Sequence, residues 1–202
     1  MQWRINQIQY PVHTLGNGKR ICICVQGCPM GCSPCRNTRL SHQGKGELLD
    51  IKLLFNWIRL KSEAFDGITI TGGEPFEQYE PLVAFIKLVK QYTRLQVTCY
   101  SSFYLHELYK RFPAKEFTLY TDILIDGRFK DKHSITGSSP GSSNQSVYFF
   151  KDGMPFITNS YPFTKIKCDA IINEGTTIWS GNLLRKEMHL KDTVLPDYVL
   201  SY

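Results

Sequence analysis

The chain has 202 residues, 42% apolar and 21% charged, with a formal charge of +6. That length suits one globular domain with a hydrophobic core, and the composition excludes a disordered chain. Met1 to Gln7 carry no apolar run behind a basic cluster, and no stretch approaches the roughly 20 apolar residues of a membrane span, so a cytoplasmic protein without a membrane partner is expected.

In chain order, Thr14 to Gly18 is a glycine-containing turn that leads into an apolar run, Arg20 to Val25, suited to a buried strand. Leu49, Leu53, Leu54, Trp57 and Ile58 recur at helical spacing and predict a helix over about 48–60. Gly67 to Thr71 reads as a second strand, ending at Gly72-Gly73-Glu74-Pro75. A helix follows over about 81–92, with Leu82, Phe85, Ile86 and Val89 on one face, then a strand over 95–100 and a short helix over 104–112. Asp122 to Asp126 is a fourth strand, and the Ser- and Gly-rich residues 134–146 form a loop. Beyond it, 147–150, 166–173 and 176–179 read as strands joined by Asp152-Gly153 and Glu174-Gly175 turns, a tail that closes or extends the sheet.

Alternating strands and helices call for an α/β fold with a parallel sheet and right-handed crossovers, and functional groups then gather at the carboxyl ends of the strands. The scattered basic residues, Arg4, Lys19, Arg20, Lys87, Lys90, Arg111, Lys130, Lys132 and Lys186 among them, form no arginine-rich run. They predict a solvated surface rather than direct nucleic-acid binding.

Seven cysteines cannot all pair, and three of them fall within eight positions: Cys28-Pro29-Met30-Gly31-Cys32-Ser33-Pro34-Cys35. In a cytoplasmic protein such a cluster reads as metal binding or catalysis. A loop with this spacing can turn three thiolates toward one iron–sulfur cube, which ordinarily takes four, leaving one iron open for chemistry. A zinc site is the alternative, its fourth ligand coming from His42, Cys22 or Cys168, although no second Cys pair accompanies the loop. Cys22, Cys24, Cys99 and Cys168 lie in apolar strands and read as core residues.

The Cys-x₃-Cys-x₂-Cys loop after the first strand, with Gly72-Gly73-Glu74-Pro75 at the end of the next, resembles the radical S-adenosylmethionine (SAM) superfamily. That resemblance implies a shortened, partial parallel (β/α) barrel over residues 1–150, with a β-rich C-terminal extension over 151–202 packed on it. It implies a [4Fe–4S] cluster on Cys28, Cys32 and Cys35, with SAM chelating the open iron and the Gly72-Gly73-Glu74 backbone holding the SAM amine. Reductive cleavage of SAM would give methionine and a 5′-deoxyadenosyl radical, with no catalytic residue beyond cluster and SAM.

Within the superfamily the chain is similar to the anaerobic ribonucleotide reductase activating proteins. The similarity rests on residues 12–28, on Cys35-Arg36-Asn37, on residues 122–129 and above all on Gly141-Ser142-Ser143-Asn144-Gln145, for which no generic structural cause is evident. It implies hydrogen abstraction from a glycine of a partner reductase, with reduced flavodoxin or ferredoxin as electron donor. Further cofactor contacts are expected from Pro34, Arg36, Ser101 and Asn144, with Ser102 and Gln145 as neighbours. Asp126 either meets SAM or a cation, or caps the Asp126-Gly127 bend. Pro140 stands where the family usually has Arg, Pro34 where many members have an aromatic residue, and Ser101-Ser102 where Thr-Gly is common.

Overall fold

The computed structural model describes residues 1–32, 35, 38–42, 44–135 and 140–157, and the backbone of 168–173 and 176–181. Its parallel centre consists of β2 (Arg20–Val25), β4 (Gly67–Gly72), β5 (Gln96–Tyr100) and β6 (Ile123–Asp126). Register pairs Arg20 with Gly67 and Val25 with Gly72, so the cysteine loop and the Gly-Gly-Glu loop leave the sheet at one level. The sequence pattern anticipated these four strands.

The flanking strands depart from that pattern. β1 (Gln2–Val12) runs antiparallel to β2 with two irregularities, and the polar Gln and Asn residues within it hide its periodicity. The expected helix over 48–60 begins later: Glu47–Asp50 is a short strand, β3, paired with β1, and α1 spans Ile51–Lys61. The reason is Asp50, whose carboxylate accepts from the amides of Lys52 and Leu53 and starts the helix there. At the other edge β7 (Ser146–Lys151) and β8 (Met154–Phe156) extend the sheet antiparallel, giving the order β3-β1-β2-β4-β5-β6-β7-β8.

Among the described residues this sheet is open, with β3 and β8 as edges, and closure of the expected barrel is not seen. Of the expected C-terminal strands, β9 (Cys168–Asn173) and β10 (Thr176–Gly181) pair only with each other. Residues 166–167 and the Glu174-Gly175 turn lie outside the described residues. No helix among the described residues is long and apolar enough to cross a membrane.

α1 and α2 (Tyr79–Tyr92) cover one face of the sheet, where Ile21, Ile23, Val25, Ile68, Ile70 and Val97 meet Leu54, Ile58, Leu82, Phe85 and Ile86 in one buried cluster. The opposite face of β2 carries Arg20, Cys22 and Cys24. Cys22 and Cys24 are core residues as expected, their sulfurs 3.8 Å apart and packed with Val12 and Leu40. Cys99 is buried as well, while the side chain of Cys168 is not described. Arg20, counted above with the surface charges, is instead fully buried. Its guanidinium sits at the amino ends of the strands, donating to Thr69, Thr98, Gln96 and the carbonyls of Asn17 and Ile68.

Candidate functional site

Past Val25 the chain turns through Gly27, with φ of +97°, and enters the cysteine loop. The returning end of that loop is tied back to its start. The amides of Gly27 and Cys28 donate to the carbonyls of Leu40 and Ser41 at 2.8 and 3.3 Å. Buried Gln26 reaches across the same gap, its Nε2 donating to the carbonyls of Arg39 and His42. Gly31 takes φ of +56°, the left-handed turn that folds Cys28 and Cys32 toward one another.

Cys28, Cys32 and Cys35 are partly exposed and in no disulfide, whereas Cys22, Cys24 and Cys99 are buried. Burial pushes the Cys28 thiol up; the Met30 amide opposes this, and Glu74, Cys32 and Cys35 add to it. Cys32 is likewise raised, first by burial, with Arg128 pulling it down and Cys35 pushing it up. No three His, Cys, Asp or Glu side chains among the described residues converge on a single ion-sized point.

The Gly-Gly-Glu loop lies directly against this one. Gly73 N–H donates to Val25 and Glu74 N–H to the Gly27 carbonyl, both at 2.8 Å. A Cβ on Gly73 would stand 2.2 Å from the Gly27 oxygen, so only glycine allows the approach. Glu74 itself is fully buried, and its carboxylate is committed to the protein: Oε1 accepts from Ser101 Oγ and the Phe76 amide, Oε2 from the Ser102 amide. It therefore joins the ends of β4 and β5, and only its backbone faces the question of a ligand.

Burial raises the Glu74 carboxyl to about 7, against the pull of those donors. A carboxyl whose folded value lies above its unfolded value stabilises the fold fully below about pH 4.5, and that contribution, about 3 kcal/mol, is lost as pH rises through about 7. Denaturant titrations of the cluster-free protein over this range should show the loss in wild type. Glu74→Gln should remove that part of the pH slope, and an unchanged slope would count against the burial argument.

Asp126 is also buried and raised by burial. Its oxygens accept from the amides of Leu105, at the start of α3 (Leu105–Arg111), and of Ser146, at the start of β7. Of the two readings offered above, these contacts favour a structural one, with different partners: Asp126 ties two element starts together. Ser101 Oγ is engaged by Glu74 and by the Phe103 amide. Pro34 and Arg36 lie outside the described residues.

The Gly141–Gln145 segment has a structural cause after all. Gln145 donates to the Gly127 carbonyl and Asn144 Nδ2 to the Arg128 carbonyl, while Gln145 Oε1 accepts from the amide and hydroxyl of buried Ser142. The segment clamps the loop that leaves β6. Asn144 Oδ1 is buried and has no hydrogen-bond partner among the described residues, an acceptor of the kind a bound cofactor's N–H or O–H would satisfy. Arg128 and Gln26 were not singled out from sequence. Arg128 was visible only as a letter in Asp-Gly-Arg-Phe, and Gln26 only as the residue after an apolar strand.

The family described as a 4Fe-4S single cluster domain matches residues 14–148. An anaerobic ribonucleoside-triphosphate reductase-activating protein of Pasteurella multocida is 30% identical over 155 residues, covering 72% of this chain and 98% of its own. The protein of the same description from Haemophilus influenzae is 28% identical over 156 residues, covering 73% and 99%. That of enterobacteria phage T4 is 23% identical over 145 residues, covering 69% and 89%.

Proposed function

This chain belongs to the anaerobic ribonucleoside-triphosphate reductase-activating proteins, radical SAM enzymes of the glycyl-radical-activating type with a 4Fe-4S domain, and we propose that Cys28, Cys32 and Cys35 hold its cluster. The observation that carries this is the backbone contact of Gly73 and Glu74 with Val25 and Gly27, which sets the Gly-Gly-Glu loop against the start of the loop bearing three partly exposed thiols. These thiols would hold a cluster whose chemistry, when bound, would be one-electron reduction of the SAM sulfonium to methionine and a 5′-deoxyadenosyl radical.

The chain's own work is to bind, orient and shield. The Gly72-Gly73-Glu74 backbone would hold the SAM amine, and Asn144 Oδ1, buried with no partner among the described residues, would accept from the same ligand. Ser101 acts through Glu74 and Asp126 through the element starts it ties, both as positioning residues. Pro34 and Arg36, beside Cys35 in sequence, are further cofactor contacts by the resemblance. The open sheet of residues 1–150, read as a shortened, partial (β/α) barrel, carries these groups, a boundary supported by the family match ending at 148. Residues 151–202 form a β-rich extension, supported by the separate β9–β10 pair.

The partner is a glycyl-radical enzyme, an anaerobic ribonucleotide reductase as for the relatives named above. The electron donor is reduced flavodoxin or ferredoxin, in the cytoplasm. Exposed Arg39, Lys45, Lys130 and Lys132 on the loops beside the cysteines suit an acidic donor protein.

Anaerobic reconstitution with iron, sulfide, reductant and SAM should yield 5′-deoxyadenosine. Formation should fall to background in Cys28→Ala, Cys32→Ala and Cys35→Ala, and persist in Cys22→Ala and Cys24→Ala. Normal turnover in the first three would sink the cluster assignment. With the reductase added, electron paramagnetic resonance should show a glycyl radical; SAM cleavage without that radical would place the substrate elsewhere.

A further inference from the structure

The loop after β6 reaches the cysteine loop through one side chain. Gly127 leaves the strand at φ of +97°, with the Tyr104 ring 2.9 Å from where a Cβ would stand. Gln145 Nε2 holds the Gly127 carbonyl at 2.9 Å and Asn144 Nδ2 the Arg128 carbonyl at 2.8 Å. So the backbone of Arg128 is fixed although its side chain is exposed. That side chain crosses to Met30, midway between Cys28 and Cys32, with Nη2 3.5 Å from the thioether sulfur. A thioether is a weak acceptor, and no carboxylate among the described residues pairs with this guanidinium. Its place is explained by the negative charge that three thiolates and their cluster bring to the loop.

We propose that Arg128 is a positioning residue for the cluster: its guanidinium, aimed by the Asn144–Gln145 clamp, braces the Cys28–Cys32 turn and favours the reduced state. This rests on the assignment of the cluster to Cys28, Cys32 and Cys35. Reduction adds one negative charge to an already anionic assembly of cube and thiolates, and a fixed cation nearby stabilises the product of that step more than the reactant. At an effective dielectric of about 20, a unit charge within about 12 Å changes such a one-electron equilibrium by about tenfold.

The test is a redox titration of the reconstituted enzyme, followed by the electron paramagnetic resonance signal of the reduced cluster. Arg128→Gln should lower the reduced-to-oxidised ratio at a fixed potential by about tenfold, equivalent to about 59 mV for one electron. Arg128→Lys keeps the charge and should shift it by less than about threefold, and so should Lys19→Gln, an exposed cation at the opposite, amino ends of the strands that removes the same formal charge. Loss of the cluster in Arg128→Gln with retention in Arg128→Lys would also support the proposal. An unchanged potential in Arg128→Gln with the cluster intact, or an equal shift in Lys19→Gln, overturns it. A change confined to the KM for SAM overturns it as well, because it makes Arg128 a substrate contact. If the wild type takes up no cluster, or the three Cys→Ala variants still do, it is the cluster assignment that fails.

Discussion

Gly73→Ala should cut 5′-deoxyadenosine formation about 100-fold while leaving the fold in place. A methyl group there would meet the Gly27 carbonyl oxygen at 2.2 Å, its carbon at 2.8 Å and the Gly27 nitrogen at 3.0 Å. All three are backbone atoms, so no side chain can swing aside. The two loops must part by about 1 Å, a displacement that costs an active site on the order of 100-fold. The hydrogen bond from Glu74 N–H to Gly27 would open with it, and Gly27 adjoins Cys28. The contact lies at the edge of the core under α1 and α2, beside Val25, so circular dichroism should stay near wild type and the unfolding midpoint should fall only slightly. Gly44→Ala is the control, because nothing lies within 4 Å of the added atom. Wild-type SAM cleavage by Gly73→Ala would mean that the close approach of these loops does not matter to the chemistry.

Arg20→Ala should destabilise the protein by about 3–5 kcal/mol, a large share of the 5–15 kcal/mol typical of a domain. The guanidinium is fully buried and donates to Thr69 Oγ1 at 2.7 Å, the Ile68 carbonyl at 2.6 Å, Thr98 Oγ1 at 2.9 Å, and Gln96 Oε1, the Gln96 carbonyl and the Asn17 carbonyl at 3.0 Å each. Its removal strands several buried acceptors at once, each worth about 1–3 kcal/mol when left unpaired. A lysine keeps the charge but offers three donors in place of a planar fork of five, so Arg20→Lys should recover only part of the loss. Urea titration should show a lower midpoint at an unchanged slope. A loss below about 1 kcal/mol in Arg20→Ala would show that water replaces these bonds without penalty.

The cysteine spacing, the Gly-Gly-Glu-Pro turn and the strand–helix alternation over 20–126 were legible without the structure. Each is a local pattern, set by chain periodicity or by ligand geometry within a few residues. The Asp50 cap was equally local, and reading it would have moved the start of α1 from 48 to 51. β1 was less legible, since its polar residues and Pro11 break the alternation that marks a strand, and its partner strands supply what its own pattern lacks.

The sequence by itself determined the chemistry available to this protein: three thiols on one loop, two glycines on the next and a Ser-Ser-Asn-Gln segment further on. Only the tertiary structure decided how these are used. Arg20, to all appearance one of many surface cations, is buried because acceptors 48 to 78 positions away surround it. Glu74 stands in the expected ligand loop, and its carboxylate ties that loop to Ser101 and Ser102, 27 and 28 positions further on. Arg128 meets Met30 across 98 positions. A side chain's partners at such separations depend on strand order and register, which no local pattern encodes, and it is those partners that decide whether a polar group serves the fold or is left for a ligand.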